Sequence, residues 1–175
     1  MSYRAAFFLA ALTAMGQEHH QQHHPPRSAD EYAKVLESPD RDAWQKPHEV
    51  IAALKLHKDE VVADIGAGSG YFTRRLAHHA GKVFAVDLDP KLLEMTKSSA
   101  PANVETVRAT GDNPNLAAAS VDTIFICDVL HHIEGRPAYY AKLAQALKPV
   151  MNGPFFDAEL TEAAEEAGVR LIWAA

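Results

Sequence analysis

Cysteine is almost absent from this chain of 175 residues. Cys127 stands alone, which excludes an internal disulfide framework. Excess positive charge is absent as well: 17 Lys and Arg against 23 Asp and Glu leave a formal net charge of −6. A protein that neutralises phosphates shows a basic face, so this composition argues against electrostatic binding to nucleic acid. No stable membrane span is expected either. The one conspicuous apolar run, Ala5 to Met15, falls short of the roughly 20 residues that a membrane helix needs. What remains is an ordinary globular composition, of a length that predicts one domain with a sizeable core.

The N-terminus is less ordinary. Arg4 precedes the apolar run, and Ala14-Met15-Gly16 then gives a small-x-small site before polar Gln17 and Glu18. That is the layout of an export signal over residues 1–16. The alternative is an apolar N-terminal segment that packs on the domain. Residues 17–27 hold His19, His20, His23 and His24 ahead of Pro25-Pro26. On a helix, these histidines would share a face at i, i+4 and could hold a transition metal. The two prolines and intervening glutamines favour a solvated linker. The expected domain is therefore 28–175, with the chain up to about Pro26 outside the fold.

The stretch Val61-Val62-Ala63-Asp64-Ile65-Gly66-Ala67-Gly68-Ser69-Gly70 organises the rest. It predicts an apolar strand, a glycine-rich turn and a helix from Tyr71 to Ala80. Glycine admits φ > 0 and lets a ligand approach where a Cβ would clash. A helix N-terminus offers N–H groups to a carboxylate or phosphate. Asp64, at the strand's end, is placed to take an ammonium group. An anion receptor beside a carboxylate suits an amino-acid zwitterion better than a pyrophosphate.

Asp64-Ile-Gly-Ala-Gly-Ser-Gly70 resembles motif I of the class I methyltransferases that use S-adenosylmethionine. A nicotinamide site would want G-x-G-x-x-G, and the spacing here is G-x-G-x-G, so an oxidoreductase is disfavoured. The resemblance implies an α/β fold: a doubly wound, mostly parallel, Rossmann-like sheet in three layers. It also implies S-adenosyl-L-methionine as cofactor, with Asp64, Gly66, Ala67, Gly68 and Gly70 forming the first part of its site.

Val83 to Asp87 reads as a second buried strand that ends in acids. Asp87 lies about twenty residues past the glycine turn, where a carboxylate can accept from both hydroxyls of a ribose. Leu88 would lie against the adenine, and Asp89 would cap a helix from Pro90. The resemblance implies an acidic contact to the adenine amino group after the third strand, Asn103 to Ala109. Asp112 is the natural residue, Asn113 the substitute, and a plain loop role the alternative. Ser120 to Ile133, with its Asp128-Val-Leu-His-His-Ile133 ending, is similar to motif IV of the same family. Cys127, Asp128, Val129 and Leu130 should edge the methionine side. Asp128 could orient an acceptor or take its proton, with His131 as the second candidate; structural roles stand as alternatives for both. No third ligand is in reach of His131 and His132, so no metal is expected.

Upstream, Ser28 with Glu31 forms a capping box for a helix to Glu37, and Pro47 opens a helix to Leu54. Trp44 could roof the site or pack in the core. Downstream, Arg136 to Pro149 is an amphipathic helix. The family's pattern then fails: no apolar fifth strand follows Pro149. The chain gives instead a helix from Ala158 to Ala167 and a short strand, Val169 to Trp173. The expected sheet is truncated. Val169–Trp173 either pairs beside the fourth strand or leaves that edge open.

The expected function is methyl transfer to an unidentified small-molecule acceptor. The alternative is an adenosyl-binding module without turnover. Location is divided, since an export signal and a cytosolic cofactor point to different compartments.

Overall fold

A computed structural model describes residues 6–9, 28–133, 135–148 and 171–172. Among the described residues, six parallel strands form one sheet in the order β4-β3-β2-β5-β1-β6. In chain order the elements are β1 (Ala6–Leu9), α1 (Ala29–Leu36), α2 (Arg41–Gln45), α3 (Pro47–Leu54), β2 (Val61–Ile65), α4 (Tyr71–Ala77), β3 (Lys82–Asp87), α5 (Pro90–Ser99), β4 (Val104–Arg108), β5 (Thr123–Ile126), a 3₁₀ turn (Leu130–His132), α6 (Arg136–Ala146) and β6 (Leu171–Ile172).

The local signals act as their chemistry requires. Ser28 and Glu31 form the reciprocal capping box of α1. Asp89 Oδ1 accepts from the Lys91 N–H and starts α5 with Pro90 in the first turn. β2 and β5 are mostly apolar and almost wholly buried because both sheet faces are covered. On one face, Val62, Val83 and Phe125 pack against Ile51 and Leu54 of α3 and Phe72 and Leu76 of α4. On the other, Ala63, Ile65, Val86, Ile124 and Ile126 pack against Tyr139, Leu143 and Ala146 of α6. The result is the expected doubly wound α/β sandwich of three layers. The chain steps outward from β2 to β3 to β4, then returns to the other side of β2 as β5. The C-terminal ends of β2 and β5 therefore bound the crevice where ligands sit in open α/β sheets.

The edge beyond β5 differs from expectation. Ala6–Leu9, placed by the sequence outside the fold, pairs in parallel with β5 from Ala6↔Thr123 to Leu9↔Ile126. Of the expected C-terminal strand, Leu171–Ile172 lies among the described residues, and it pairs with β1, not with β5. An unpaired strand edge is a template for any extended apolar segment, and here the N-terminus fills it. The place that a truncated sheet would leave open is thus occupied. The helix expected from Ala158 and the histidines of 17–27 lie outside the described residues. No helix among the described residues is long and apolar enough to cross a membrane.

A candidate cofactor site at the strand ends

The turn after β2 is built by three glycines with left-handed backbone, Gly66 at φ +74°, Gly68 at φ +57° and Gly70 at φ +90°. Space enforces the choice as much as conformation does. A Cβ on Gly66 would come within 2.5 Å of Val129 Cγ2, and one on Gly68 within 2.8 Å of Leu36 Cδ1. The turn therefore closes tightly under the segment after β5 on one side and under α1 on the other.

A cavity of about 470 Å³ opens there. Asp64, Gly66, Ala67, Gly68, Asp87, Leu88 and Asp128 all line it. Asp87 is held rigidly: Oδ2 accepts from the Gly68 N–H at 2.8 Å and Oδ1 from the Asp89 N–H at 2.9 Å. Each oxygen keeps a second lone pair for a ligand hydroxyl. Asp64 is buried at the end of β2 and accepts from Thr73 Oγ1 at 2.6 Å. Burial raises its carboxyl to about 7; the Thr73 bond opposes this, and the nearby Asp87 adds to it. A buried acid poised near neutrality is suited to receive a cationic group.

Other expected residues stand elsewhere. Gly70 is absent from the cavity wall; it precedes α4 and packs against Thr96. Asp112 and Asn113 do not line the cavity either. Thr110 and Asn113 close a tight turn through mutual backbone bonds, which leaves Asp112 on the surface. There Lys142 Nζ donates to it at 2.9 Å, and the bonds from Lys142 and Thr110 hold its carboxyl below the ordinary range. Trp44 neither roofs the site nor enters the core, since it is 53% exposed. The side chain of His131 lies outside the described residues, while its neighbour His132 reaches the cavity wall.

Asp128 follows β5 with φ +56°, a conformation that costs a non-glycine residue energy and gathers at functional sites. It is exposed at the cavity mouth. Cys127 lines the wall beside Gln45, and burial pushes its thiol up to about 12, so it is a neutral packing group rather than a nucleophile.

Four N–H groups of the glycine turn are committed within the chain. The Gly66 and Ala67 N–H groups donate to the Val86 carbonyl at 2.8 and 3.0 Å, Gly68 to Asp87, and Gly70 to the Ala67 carbonyl at 3.0 Å. Sequence reading also missed Arg41 and the aromatic pair Tyr71 and Phe72, all of which line the cavity. No motif contains Arg41; its place depends on how α2 lies over α4.

The arrangement fits an adenosyl amino acid. The glycine turn admits close approach, Asp87 matches a vicinal diol, and Asp64 matches an ammonium at the other strand end. The model of a methyltransferase domain family matches residues 63–151. The biotin biosynthesis bifunctional protein BioHC of Cellvibrio japonicus is 34% identical over 86 residues, covering 49% of this chain and 17% of that protein. A probable ribosomal RNA small subunit methyltransferase A of Methanosarcina mazei is 42% identical over 60 residues, covering 33% of this chain and 22% of that one. The chain thus spans about a fifth of the length of these relatives. A crystal structure of a SAM dependent methyltransferase from Aquifex aeolicus shares the fold, with a TM-score of 0.68 at 21% identity over 83% of this chain and 90% of that one. Another from Mesorhizobium loti gives 0.53 at 27% identity over 58% and 48%.

Proposed function

This chain belongs to the methyltransferase domain family, the class I proteins that use S-adenosylmethionine, and from that premise we propose that it transfers a methyl group to a small-molecule acceptor. The observation that carries the reading is the cavity itself, with Asp64 and Asp87 at two strand ends and the glycine turn between them. The cofactor supplies an activated methyl on a sulfonium, so the protein's task is positioning and exclusion of water. Asp87 would hold the ribose and Leu88 the adenine face. Asp64 would hold the amino group. Asp128, exposed at the mouth, would orient the acceptor or take its proton.

The acidic balance of the chain, −6, supports a small acceptor over a polyanion. The likeness to a ribosomal RNA methyltransferase covers a third of this chain and says nothing about that relative's RNA contacts. The pairing of Ala6–Leu9 with β5 supports the reading of the N-terminal run as an apolar segment of the domain.

The test is calorimetric titration of the full chain with S-adenosylmethionine and, separately, with NADH, followed by methyl release against a panel of small acceptors. Micromolar binding of the first ligand alone supports the reading. Binding without turnover on any acceptor would favour an adenosyl-binding module. No binding by a well-folded chain would overturn both.

A further inference from the structure

Among the described residues, Arg41 is the one Lys or Arg that lines the cavity. The carboxyl groups on that wall, Asp64, Asp87 and Asp128, offer no positive charge to a carboxylate. The guanidinium carbon of Arg41 lies 4.0 Å from the centre of the Tyr71 ring and 5.9 Å from that of Phe72. Its Nη1 donates to the Leu36 carbonyl at 2.8 Å, across the corner between α1 and α2. The arginines nearby on α4 are neutralised: Arg74 pairs with Glu37 at 2.6 Å and Arg75 with Asp42 at 3.0 Å. Arg41 has no such carboxylate partner among the described residues. A half-buried guanidinium stacked on aromatic faces, with most of its N–H groups uncommitted, is a preorganised receptor for a planar anion.

The cofactor's amino-acid end is a zwitterion. Asp64 answers its ammonium. The N–H groups of Gly66, Ala67, Gly68 and Gly70 are already bonded within the chain, so they do not answer its carboxylate. We infer that Arg41 binds that carboxylate, and that it is therefore the residue by which the pocket selects the intact cofactor over its decarboxylated, aminopropyl form. The inference rests on the cofactor reading above and adds the group that the family motifs in this chain do not contain. The clamp around Arg41 serves the same end. Tyr71 is held between the guanidinium groups of Arg41 and Arg75, and its hydroxyl donates to Asp42, next to Arg41 in α2.

The experiment is a two-by-two titration of the full chain. Wild type and Arg41→Gln are each titrated with S-adenosylmethionine and with decarboxylated S-adenosylmethionine, and melting curves check the fold. The wild type is expected to prefer the intact form by about 10–100-fold, as for a charge-assisted hydrogen-bonded pair. Arg41→Gln should lose that preference through weaker binding of the intact form alone. Equal weakening toward both ligands would overturn the inference and assign Arg41 to bracing the α1–α2 corner. An unchanged preference would overturn it as well. If Arg41→Gln does not fold, Arg41→Lys carries the same comparison: it keeps the charge without the fork and should lose several-fold of the preference. An unchanged preference in the Lys variant would be fatal. A folded wild type that binds neither ligand overturns the cofactor reading itself.

Discussion

The two halves of the sheet are built in different ways. β2, β3 and β4 follow one another along the chain and across the sheet, each step made by one helix. The outer half beyond β5 is assembled from the two ends of the chain, β1 and β6. Chemistry divides along the same line. Asp64, the glycine turn and Asp87, which line the cavity, belong to the first half. A ligand site made of neighbours in sequence is cheap to specify, because each strand–turn–helix unit positions its own residues. An edge made of distant segments is specified only by the completed sheet.

That contrast can be broken by substitution, and the largest effect should come from the turn. Gly66→Val would set a branched side chain at φ +74° against Val129. Binding of S-adenosylmethionine should become undetectable in calorimetry while circular dichroism keeps its helix signal. Persistence of binding would remove the turn from the site.

Deleting residues 1–9 addresses the other half. The loss of β1 should lower stability by on the order of 3 kcal/mol, at about 1 kcal/mol for each ladder hydrogen bond forfeited. Cofactor affinity in the cold should hold. A truncation that leaves the denaturant midpoint unchanged would show that β1 contributes nothing to the edge. One that abolishes binding too would show that the halves are not separable.

Within the first half, Asp87→Ala should weaken cofactor binding by about 1–3 kcal/mol, the value of a lost charged acceptor. An unaltered dissociation constant would exclude Asp87 from the ribose.

Asp64 gives a smaller, pH-dependent effect. Its carboxyl stays protonated in the folded chain up to about pH 7, whereas an unfolded chain releases the proton near the ordinary carboxylate value. The folded state binds more protons between these limits, so this group stabilises the fold on the acid side and the contribution is lost as pH rises through about 7. Ligand binding runs the other way, because the ammonium wants the carboxylate. Affinity should rise several-fold from pH 6 to pH 8, and Asp64→Asn should flatten the profile. Asp112→Ala should be the quietest change, leaving affinity within experimental error, since its carboxylate faces Lys142 and solvent.

How much of this was legible in the sequence follows the same division. The capping box at Ser28, the strand ending in Asp64, the glycine turn and the strand ending in Asp87 were readable because each depends on a few adjacent residues. The ion pair of Asp112 was not legible, because the turn at Thr110–Asn113 bends toward α6 and nothing local specifies Lys142 as its partner. Arg41 was invisible because its role arises from the packing of α2 on Tyr71. The run Ala5 to Met15 was ambiguous for a deeper reason. An export signal and a sheet strand ask for the same apolar residues, and the pairing with β5 is a distant contact that no local pattern specifies.

The pairing of Ala6 with Thr123 also sets a clock. β1 leaves the ribosome long before β5, the strand it pairs with. At ~5–20 residues per second, the intervening chain takes on the order of ten seconds to synthesise. For that interval Ala6–Leu9 lacks the strand it pairs with. The speed of synthesis then sets how long the two partners of this edge stay apart.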